Sequence, residues 1–339
     1  MELMKQTLHA LIRAGTVALS VLTCVIPTLA QEDGGQPGAM LDWSVGARAV
    51  SMGSAFTATA EGPTGSWWNP AGIAQAKQDA FEMALRKMSF DRQAGYVNYI
   101  HPFGREEAAM GLSWIYAGVG DVFARDIDGQ IGDAISDYTN AFAFTFARRF
   151  TERGAPTAIS LGVNLRYVQH NIANINAYTV GFDIGAQLKH RMLKRGMAPD
   201  AIPNELRLGV AVQRLNQKYP WTTSEYWIEQ GESNGSTFDE KFPLIARGGV
   251  AALLMNGRAL GGVDVKIDSE RGATLHVGAE GRPHPLLAVR AGIDNGNFTF
   301  GGGIEPKISS GVRFVLDYAF ALQPDQIDPE HVFSLGVRF

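Results

Sequence analysis

The side chains that could do chemistry in this 339-residue chain are its seven histidines, its acidic residues and its single cysteine. The histidines are scattered, and no two have the helical spacing of a metal site. They stand at positions 9, 101, 170, 190, 276, 284 and 331. No serine, histidine and acid combination has the local signature of a hydrolase. We therefore expect no enzymatic activity, no metal and no cofactor, with the histidines in loops or lining an interior.

Two further motifs resemble ligand sites in part. Asp126, Asp128 and Asp133 imitate a calcium loop, but they lack the glycine at the sixth position and the closing glutamate. We interpret this segment as a solvated acidic loop and leave calcium binding open. The run 301–303 is Gly-Gly-Gly in a predicted strand, where it indicates close packing or a bend rather than a nucleotide site. The net charge of −4 gives no indication of a nucleic-acid partner.

The elements that carry these residues are short alternating segments, which begin at Ala80. In the segment 159–167 the odd positions are apolar and the even positions are small or polar, which is the period of a strand. Segment starts near 80, 94, 107, 138, 156, 176, 205, 242, 258, 273, 285, 297, 309 and 331 predict about fourteen strands. Charged residues recur on the polar faces: Arg166, Asp183, Asp264, Lys266, Arg290, Asp294, Arg313 and Asp317.

The strands of a soluble antiparallel β-sandwich alternate in the same way as those of a transmembrane β-barrel, so the lengths of the connections decide between these two folds. Long connections at 118–137, 216–241 and 323–330 follow odd-numbered strands, whereas most connections after even strands are tight, such as Asn256-Gly257. We therefore predict an all-β, fourteen-stranded antiparallel transmembrane β-barrel over residues 80–339, with long extracellular loops and with the eight charges facing its lumen. The connection 189–204 breaks this pattern, and we interpret it as a solvated basic loop.

Both ends of the chain are typical of an exported outer-membrane protein. Residues 1–30 have a basic start, an apolar run and small residues before position 31, which predicts a signal peptide. A membrane anchor and lipidation at Cys24 are the alternatives. At the other end, Phe333, Leu335, Val337 and Phe339 alternate with polar or small residues. This pattern resembles the assembly signal read by the outer-membrane barrel assembly machinery, and it predicts a multi-pass barrel in the bilayer of a bacterial outer membrane.

The segment 31–79 between these two parts does not alternate. Its first half is small and compatible with a helix, although Gly53 weakens it. Asn69-Pro70 starts a turn, and Gly72 can take positive φ. The lumen of a fourteen-stranded barrel is too wide for wall side chains alone to fill. We therefore predict that 31–79 is a hatch folded into the barrel, with a periplasmic tail outside it as the alternative.

The hatch segment carries a specific resemblance. The sequence GARAVSMGSAFTA at 46–58, followed by WNPAG at 68–72, resembles the opening signature of the PorV/PorQ family, within the wider FadL-like group of barrels. The matching positions that we single out are Gly46, Arg48, Gly53, Asn69, Pro70, Ala71 and Gly72. The sequence FPLIARGGVA at 242–251 resembles that family's mid-barrel strand. The resemblance implies a fourteen-stranded barrel with an N-terminal hatch.

The resemblance implies two alternative functions. A PorV-like protein would bind exported cargo proteins and other secretion components in a type IX-like pathway. The aromatic residues of the loop 216–241 have the types that anchor protein contacts, although they could equally form the interfacial girdle: Tyr219, Trp221, Tyr226 and Trp227. A FadL-like protein would instead take up a hydrophobic small molecule past Met52, Phe56, Trp67 and Trp68. We predict the secretion role, with the channel as the alternative.

Overall fold

The computed structural model describes residues 36–104, 107–151, 155–173, 175–192, 204–229, 231, 235–308, 311–322 and 328–339. Within these residues, fourteen antiparallel strands close into a barrel, each paired with its neighbours and the first with the last. The barrel strands are β1 (Ala80–Lys87), β2 (Arg92–Phe103), β3 (Ala108–Val119), β6 (Asp137–Phe150), β7 (Thr157–Ile172), β8 (Ile175–Arg191), β9 (Glu205–Leu215), β12 (Ile245–Leu254), β13 (Ala259–Asp268), β14 (Gly272–His284), β15 (Leu287–Asp294), β16 (Asn297–Ile304), β17 (Arg313–Ala321) and β18 (Glu330–Arg338). The two remaining pairs are loop hairpins, β4 (Phe123–Arg125) with β5 (Ile131–Ala134) and β10 (Lys218–Thr222) with β11 (Thr237–Lys241).

The predicted fourteen-stranded barrel is confirmed. The largest error in a predicted strand start is four residues, at the strand predicted from position 309 that begins at Arg313. The faces also follow the alternation: on β7, Leu165 is 47% exposed and the adjacent Arg166 is 2% exposed. The apolar side chains thus point outward and the polar ones inward. Only a lipid surrounding makes that arrangement favourable over a whole closed sheet.

The segment before β1 lies inside the barrel, and residues 47–60 are nearly all buried there. It contains two short helices, α1 (Ala47–Ser51) and α2 (Gly65–Trp68), and two 3₁₀ helices, Ala39–Asp42 and Pro70–Gln75. We call residues 36–79 the hatch. Gly53 follows the end of α1 with a φ of 60°, which few other residues adopt. No helix among the described residues is long and apolar enough to cross a membrane.

The connections divide the barrel into two rims. One rim carries 120–136, with β4 and β5, and 216–244, with β10, α3 (Ser224–Glu229) and β11. We call it the outer rim, since long loops face outward in such barrels. The predicted alternation of loop length is only partly correct, because β15 and β16 on this same rim are joined by two residues. Asn256-Gly257 belongs to a 3₁₀ turn, Met255–Gly257, rather than to a two-residue hairpin.

Parts of the prediction fall outside the described residues. The signal peptide predicted at 1–30 and most of the basic connection 189–204 are among them. The first residues of the predicted hatch, 31–35, are also outside. The domain division at residue 80 coincides with the first residue of β1.

Candidate functional site

A band of inward-facing glycines brings the hatch backbone against the barrel wall. A Cβ atom added at Gly209 would lie 2.4 Å from the Thr57 carbonyl oxygen, and one at Gly292 would lie 2.2 Å from the Gly53 nitrogen. The band runs across neighbouring strands, where Gly162 pairs with Gly185 and Gly278 pairs with Gly292. A side chain at these positions would hold the hatch away from the wall. Gly301 belongs to the same contact, because its Cβ would lie 2.5 Å from that of Ser51, in agreement with the close packing expected at 301–303.

Asn69 fixes the centre of the hatch to this band. Its amide nitrogen donates to the carbonyl oxygens of Thr57 at 3.1 Å, Ala186 at 3.1 Å and Val210 at 3.3 Å. Its Oδ1 accepts from the Ala71 nitrogen at 3.1 Å, which caps the 3₁₀ helix that Pro70 begins. One buried side chain therefore joins two hatch segments to strands β8 and β9.

Gly72 is required for a different reason from the one predicted. The sequence allows a positive φ at Gly72, but Gly72 does not adopt one in this structure. A Cβ at this position would instead lie 2.4 Å from the Ala60 carbonyl oxygen. The constraint is therefore the close approach of two hatch segments, not the backbone conformation of a turn.

The outer end of the hatch is held by one carboxylate among three cations. Asp42 accepts from Arg214 at 2.7 Å, Arg271 at 2.9 Å and Lys266 at 3.3 Å. We call this group the outer latch. Burial alone would raise the pKa of Asp42, but the neighbouring cations outweigh it and hold that pKa well below its usual range. The latch is therefore ionised at any ordinary pH.

The other end of the hatch repeats this arrangement near the inner rim. Glu61 lies 2.9 Å from Arg48, 3.4 Å from Arg207 and 3.6 Å from Lys189, and we call this group the inner latch. Burial opposes ionisation of Glu61, and the three cations nonetheless hold its pKa well below its usual value. Arg48, singled out from the sequence, also binds Glu280 of β14 at 2.9 Å. The hatch is thus tied to the wall at both ends by ion pairs.

The predicted lumen charges pair with the hatch or with each other. Asp264 accepts from the Thr57 nitrogen at 2.6 Å, and Asp294 accepts from Ser54 at 2.6 Å. Lys266 belongs to the outer latch. Arg166 binds Asp183 at 2.5 Å, and Arg290 binds Asp317 at 2.7 Å. Arg313 differs, because it is exposed at the first residue of β17 on the inner rim. These charges anchor a plug instead of lining an open aqueous pore.

The hatch also has an aromatic centre enclosed by arginines. Phe56 and Trp68 are buried edge to face, with ring centroids 6.0 Å apart. The Arg166 guanidinium lies 4.6 Å from the centroid of the Trp67 ring, and that of Arg247 lies 5.1 Å from the centroid of the Trp68 ring. These are the apolar side chains predicted to line a hydrophobic path, together with the buried Met52. In this structure they pack together in one buried cluster.

Two of the loop aromatics are not available to a partner, which corrects their predicted role. Tyr219 is 0% exposed, and its ring centroid lies 4.6 Å from that of Phe242. Trp221 is also buried and donates to Glu240 at 2.8 Å. The β10–β11 hairpin folds these rings inward, so they belong neither to a docking surface nor to a lipid girdle. Tyr226 and Trp227 on α3 are exposed, Trp227 at 41%.

The remaining predicted residues lie on the outer wall and in the loops. Phe333 and Leu335 are exposed on the lipid side of β18, Val337 lies on the same face, and the Phe339 nitrogen donates to the Asp79 carbonyl oxygen at 2.9 Å. The assembly role of these four residues stays a prediction. In the loop hairpin, the Asp126 carboxylate accepts from the backbone of Asp128 and Gln130. The described residues contain no group of three or more potential metal ligands.

Sequence reasoning missed several residues of this site. Asp42, Glu61, Arg214 and Glu280 stand in segments that give no local sign of pairing across the lumen. The glycine band did leave a signal, since Gly162, Gly185 and Gly292 occupy polar-face positions of clearly alternating strands. Recurring glycine on one face indicates that another backbone lies against that face.

Comparisons with known proteins give the fold a context. No protein-family model matches the chain, and no curated protein matches it. The structure is similar to that of a TodX monoaromatic hydrocarbon channel with a deltaS2 mutation, with a TM-score of 0.53 and 12% sequence identity, over 87% of this chain and 97% of that one. It is also similar to a FadL homologue of Pseudomonas aeruginosa, with a TM-score of 0.50 and 12% identity, over 88% and 97% of the two chains. Likeness at this identity shows the fold.

The barrel and its neighbours agree on architecture and location. A closed fourteen-stranded sheet with an apolar outer face and a buried hatch is a bacterial outer-membrane barrel that resembles the FadL-like group. Because one barrel scaffold serves many functions, this likeness leaves the function to be argued from the site.

Proposed function

We propose that this protein is an outer-membrane channel for hydrophobic small molecules, with the hatch as its gate. The observation that carries the proposal is that the lumen is filled by a separate segment, held by two latches, rather than by side chains of the wall. Such a plug moves without breaking any strand pairing of the barrel. Its aromatic centre, which contains Met52, Phe56 and Trp68, offers an apolar surface to a passing molecule once the hatch shifts.

The fold supports the same reading by analogy. One structural neighbour is described as a monoaromatic hydrocarbon channel, and the barrel aligns over nearly the whole of that chain. A hydrophobic molecule also suits a plugged barrel better than a polar solute does, because polar solutes cross outer membranes through water-filled lumens. The interior here is occupied by packed and ion-paired groups.

Uptake into vesicles tests this function. Proteoliposomes containing the intact protein should accumulate radiolabelled toluene or oleate faster than vesicles without protein, and should exclude a labelled disaccharide. Asp42→Asn should increase hydrocarbon or oleate uptake because the outer latch opens. Equal uptake of both hydrophobic probes with and without the protein would contradict the proposal. A control variant, Asp239→Asn, alters an exposed pair with Lys218 on the outer loop and should behave as wild type.

Protein secretion of the type implied by the PorV/PorQ resemblance is the second candidate. The exposed Tyr226, Trp227 and Ile228 of α3 favour it, because aromatic and aliphatic side chains on an outer loop suit a protein contact. The comparisons give it no support. Crosslinking from a photoreactive residue at position 227 in intact cells should capture exported proteins if this function holds, and only lipids if the channel function holds.

A further inference from the structure

The outer wall of the barrel carries an apolar groove that the channel function does not use. This groove has a volume of about 910 Å³ and crosses β1–β3 and β15–β18, where the barrel closes. Its floor is lowered at Gly95, where an added Cβ would meet nothing within 4 Å, and Gly302 lies at its other side. Between these glycines stand the exposed side chains of Leu85, Phe333 and Tyr318.

The rows of side chains on this wall have a definite order. Leu85 pairs with Gly95 on one side and with Phe333 on the other, and Phe333 pairs with Tyr318. Two residues nearer the outer rim, Lys87 pairs with His331 on the same outward face. The polar row therefore lies about 7 Å along the strands from the groove. Leu335 and Met83 extend the apolar surface by a similar step toward the inner rim.

The polar row consists of Lys87 and His331, and neighbouring side chains hold the His331 ring in place. The Tyr318 hydroxyl lies 2.8 Å from Nδ1 of His331, and the Phe320 ring meets the His331 ring edge to face at a centroid separation of 5.5 Å. Lys87 is exposed beside this histidine. A lysine near the end of a membrane strand extends its ammonium to the lipid headgroups. Cationic and hydrogen-bonding groups above an apolar groove match a lipid with an anionic headgroup.

We propose that this groove binds one phosphate-bearing lipid of the outer leaflet. Its acyl chain lies over Gly95 between Leu85 and Tyr116, beside Trp114, and its phosphate contacts Lys87 and His331. The groove volume falls in the range of small-ligand sites, and its walls are apolar as an acyl chain requires. Lys87 and His331 stand on the outer-rim side of the groove, which is the side of the outer leaflet. The site is separate from the hatch and from the lumen.

Native mass spectrometry of the detergent-purified protein tests the proposal. Lipid A with two phosphates and phosphatidylcholine of equal acyl length serve as probes. Wild type should retain lipid A in preference to phosphatidylcholine. Lys87→Gln should weaken retention of lipid A about fivefold, which corresponds to the ~1 kcal/mol of a single basic residue near an anionic surface. The same variant should leave retention of phosphatidylcholine unchanged.

A larger side chain placed in the groove can be compared with the same side chain placed elsewhere on the outer wall. Gly95→Leu should abolish retention of both lipids, whereas Gly248→Leu should retain them as wild type does. Gly248 also has nothing within 4 Å of an added Cβ, and it lies on β12 across the barrel. Where Gly95→Leu gives no heat-resistant barrel, a second measurement replaces it. In a variant that keeps Gly95 and has every tryptophan except Trp114 changed to phenylalanine, lipid A brominated on its acyl chains should quench the fluorescence of Trp114. Equal retention by Gly95→Leu and wild type, no preference for lipid A over phosphatidylcholine, or no quenching of Trp114 would each overturn the proposal.

Discussion

Asp42 of the hatch and Arg214 of strand β9 form an ion pair with 2.7 Å between Oδ1 and Nη2, inside the outer end of the barrel. The two residues are 172 positions apart in the chain, and Lys266 of β13 and Arg271 of the turn after β13 complete the contact. The pair joins the hatch to the barrel sheet. If the hatch is a gate, as proposed, opening from the outside requires the rupture of this pair.

Asp42→Asn should release the first part of the hatch without unfolding the barrel. Removal of the carboxylate leaves three cations close together and without their common partner, a change that costs about 3–5 kcal/mol at a buried ion pair. Hydrogen exchange should rise at the backbone of residues 38–43, while strand amides stay protected. Asp239→Asn removes an exposed pair and should cost at most about 1 kcal/mol. Unchanged hydrogen exchange at residues 38–43 in Asp42→Asn would mean that packing, and not the ion pairs, holds this part of the hatch in place.

The outer latch should withstand mild acid. Because the folded-state pKa of Asp42 is lowered, its contribution to stability is fully present above the ordinary aspartate pKa and is lost only as the pH falls toward the lowered value. Exposed aspartates have a pKa of about 4 and begin to protonate between pH 5 and pH 4. Over this range, residues 38–43 of the hatch should stay bound to the barrel wall. Labelling of a cysteine placed at Ser44 as a function of pH measures this directly. A midpoint near the ordinary aspartate pKa would show that the cations do not stabilise the carboxylate.

Asn69→Ala should make the barrel leak, but less than removal of the hatch does. The substitution removes donors to three carbonyl oxygens, at a cost of about 1–3 kcal/mol for buried groups left unpaired. Deletion of residues 46–72 removes Arg48 and Glu61 of the inner latch as well as this contact. Conductance in planar bilayers should therefore rise from wild type to Asn69→Ala to the deletion. Equal conductance of the deletion and the wild type would place the block to ion flow elsewhere.

Gly292→Ala should displace the hatch while the strands stay paired. The added methyl group would stand 2.2 Å from the Gly53 nitrogen, so the turn after α1 must move, at a cost typical of overpacking, about 1–3 kcal/mol. Limited proteolysis should then cut the hatch, and the barrel should keep its heat-resistant mobility in electrophoresis. Gly248→Ala points into open space on the outer wall and should show neither change.

The barrel was predictable from sequence because lipid imposes one strong rule on every strand. Leu165 and Arg166 must face opposite sides, and the same rule repeated along the chain fixes strand number and position. The connections were less predictable, since no such rule applies to them. Tyr219 and Trp221 have the composition of a contact surface, and only the fold of the β10–β11 hairpin turns them inward.

The hatch contacts were the least predictable part of the site. Asp42 finds its three partners on two distant parts of the chain, and no local pattern records such pairing. Asn69 was singled out through a resemblance, which gave its position but not its three acceptors. Gly72 was expected for its backbone angle, whereas the structure needs it for its missing side chain.

A reversible crosslink between hatch and wall tests most directly whether the hatch gates a channel for hydrophobic molecules. The Ser54 hydroxyl donates to Asp294 at 2.6 Å, so Ser54→Cys with Asp294→Cys places two thiols within reach of each other. In proteoliposomes, oxidation of this variant should stop the uptake of labelled toluene and oleate, and reduction should restore it. The single variant Ser54→Cys should transport under both conditions. Uptake that continues at full rate through the crosslinked protein would contradict the account.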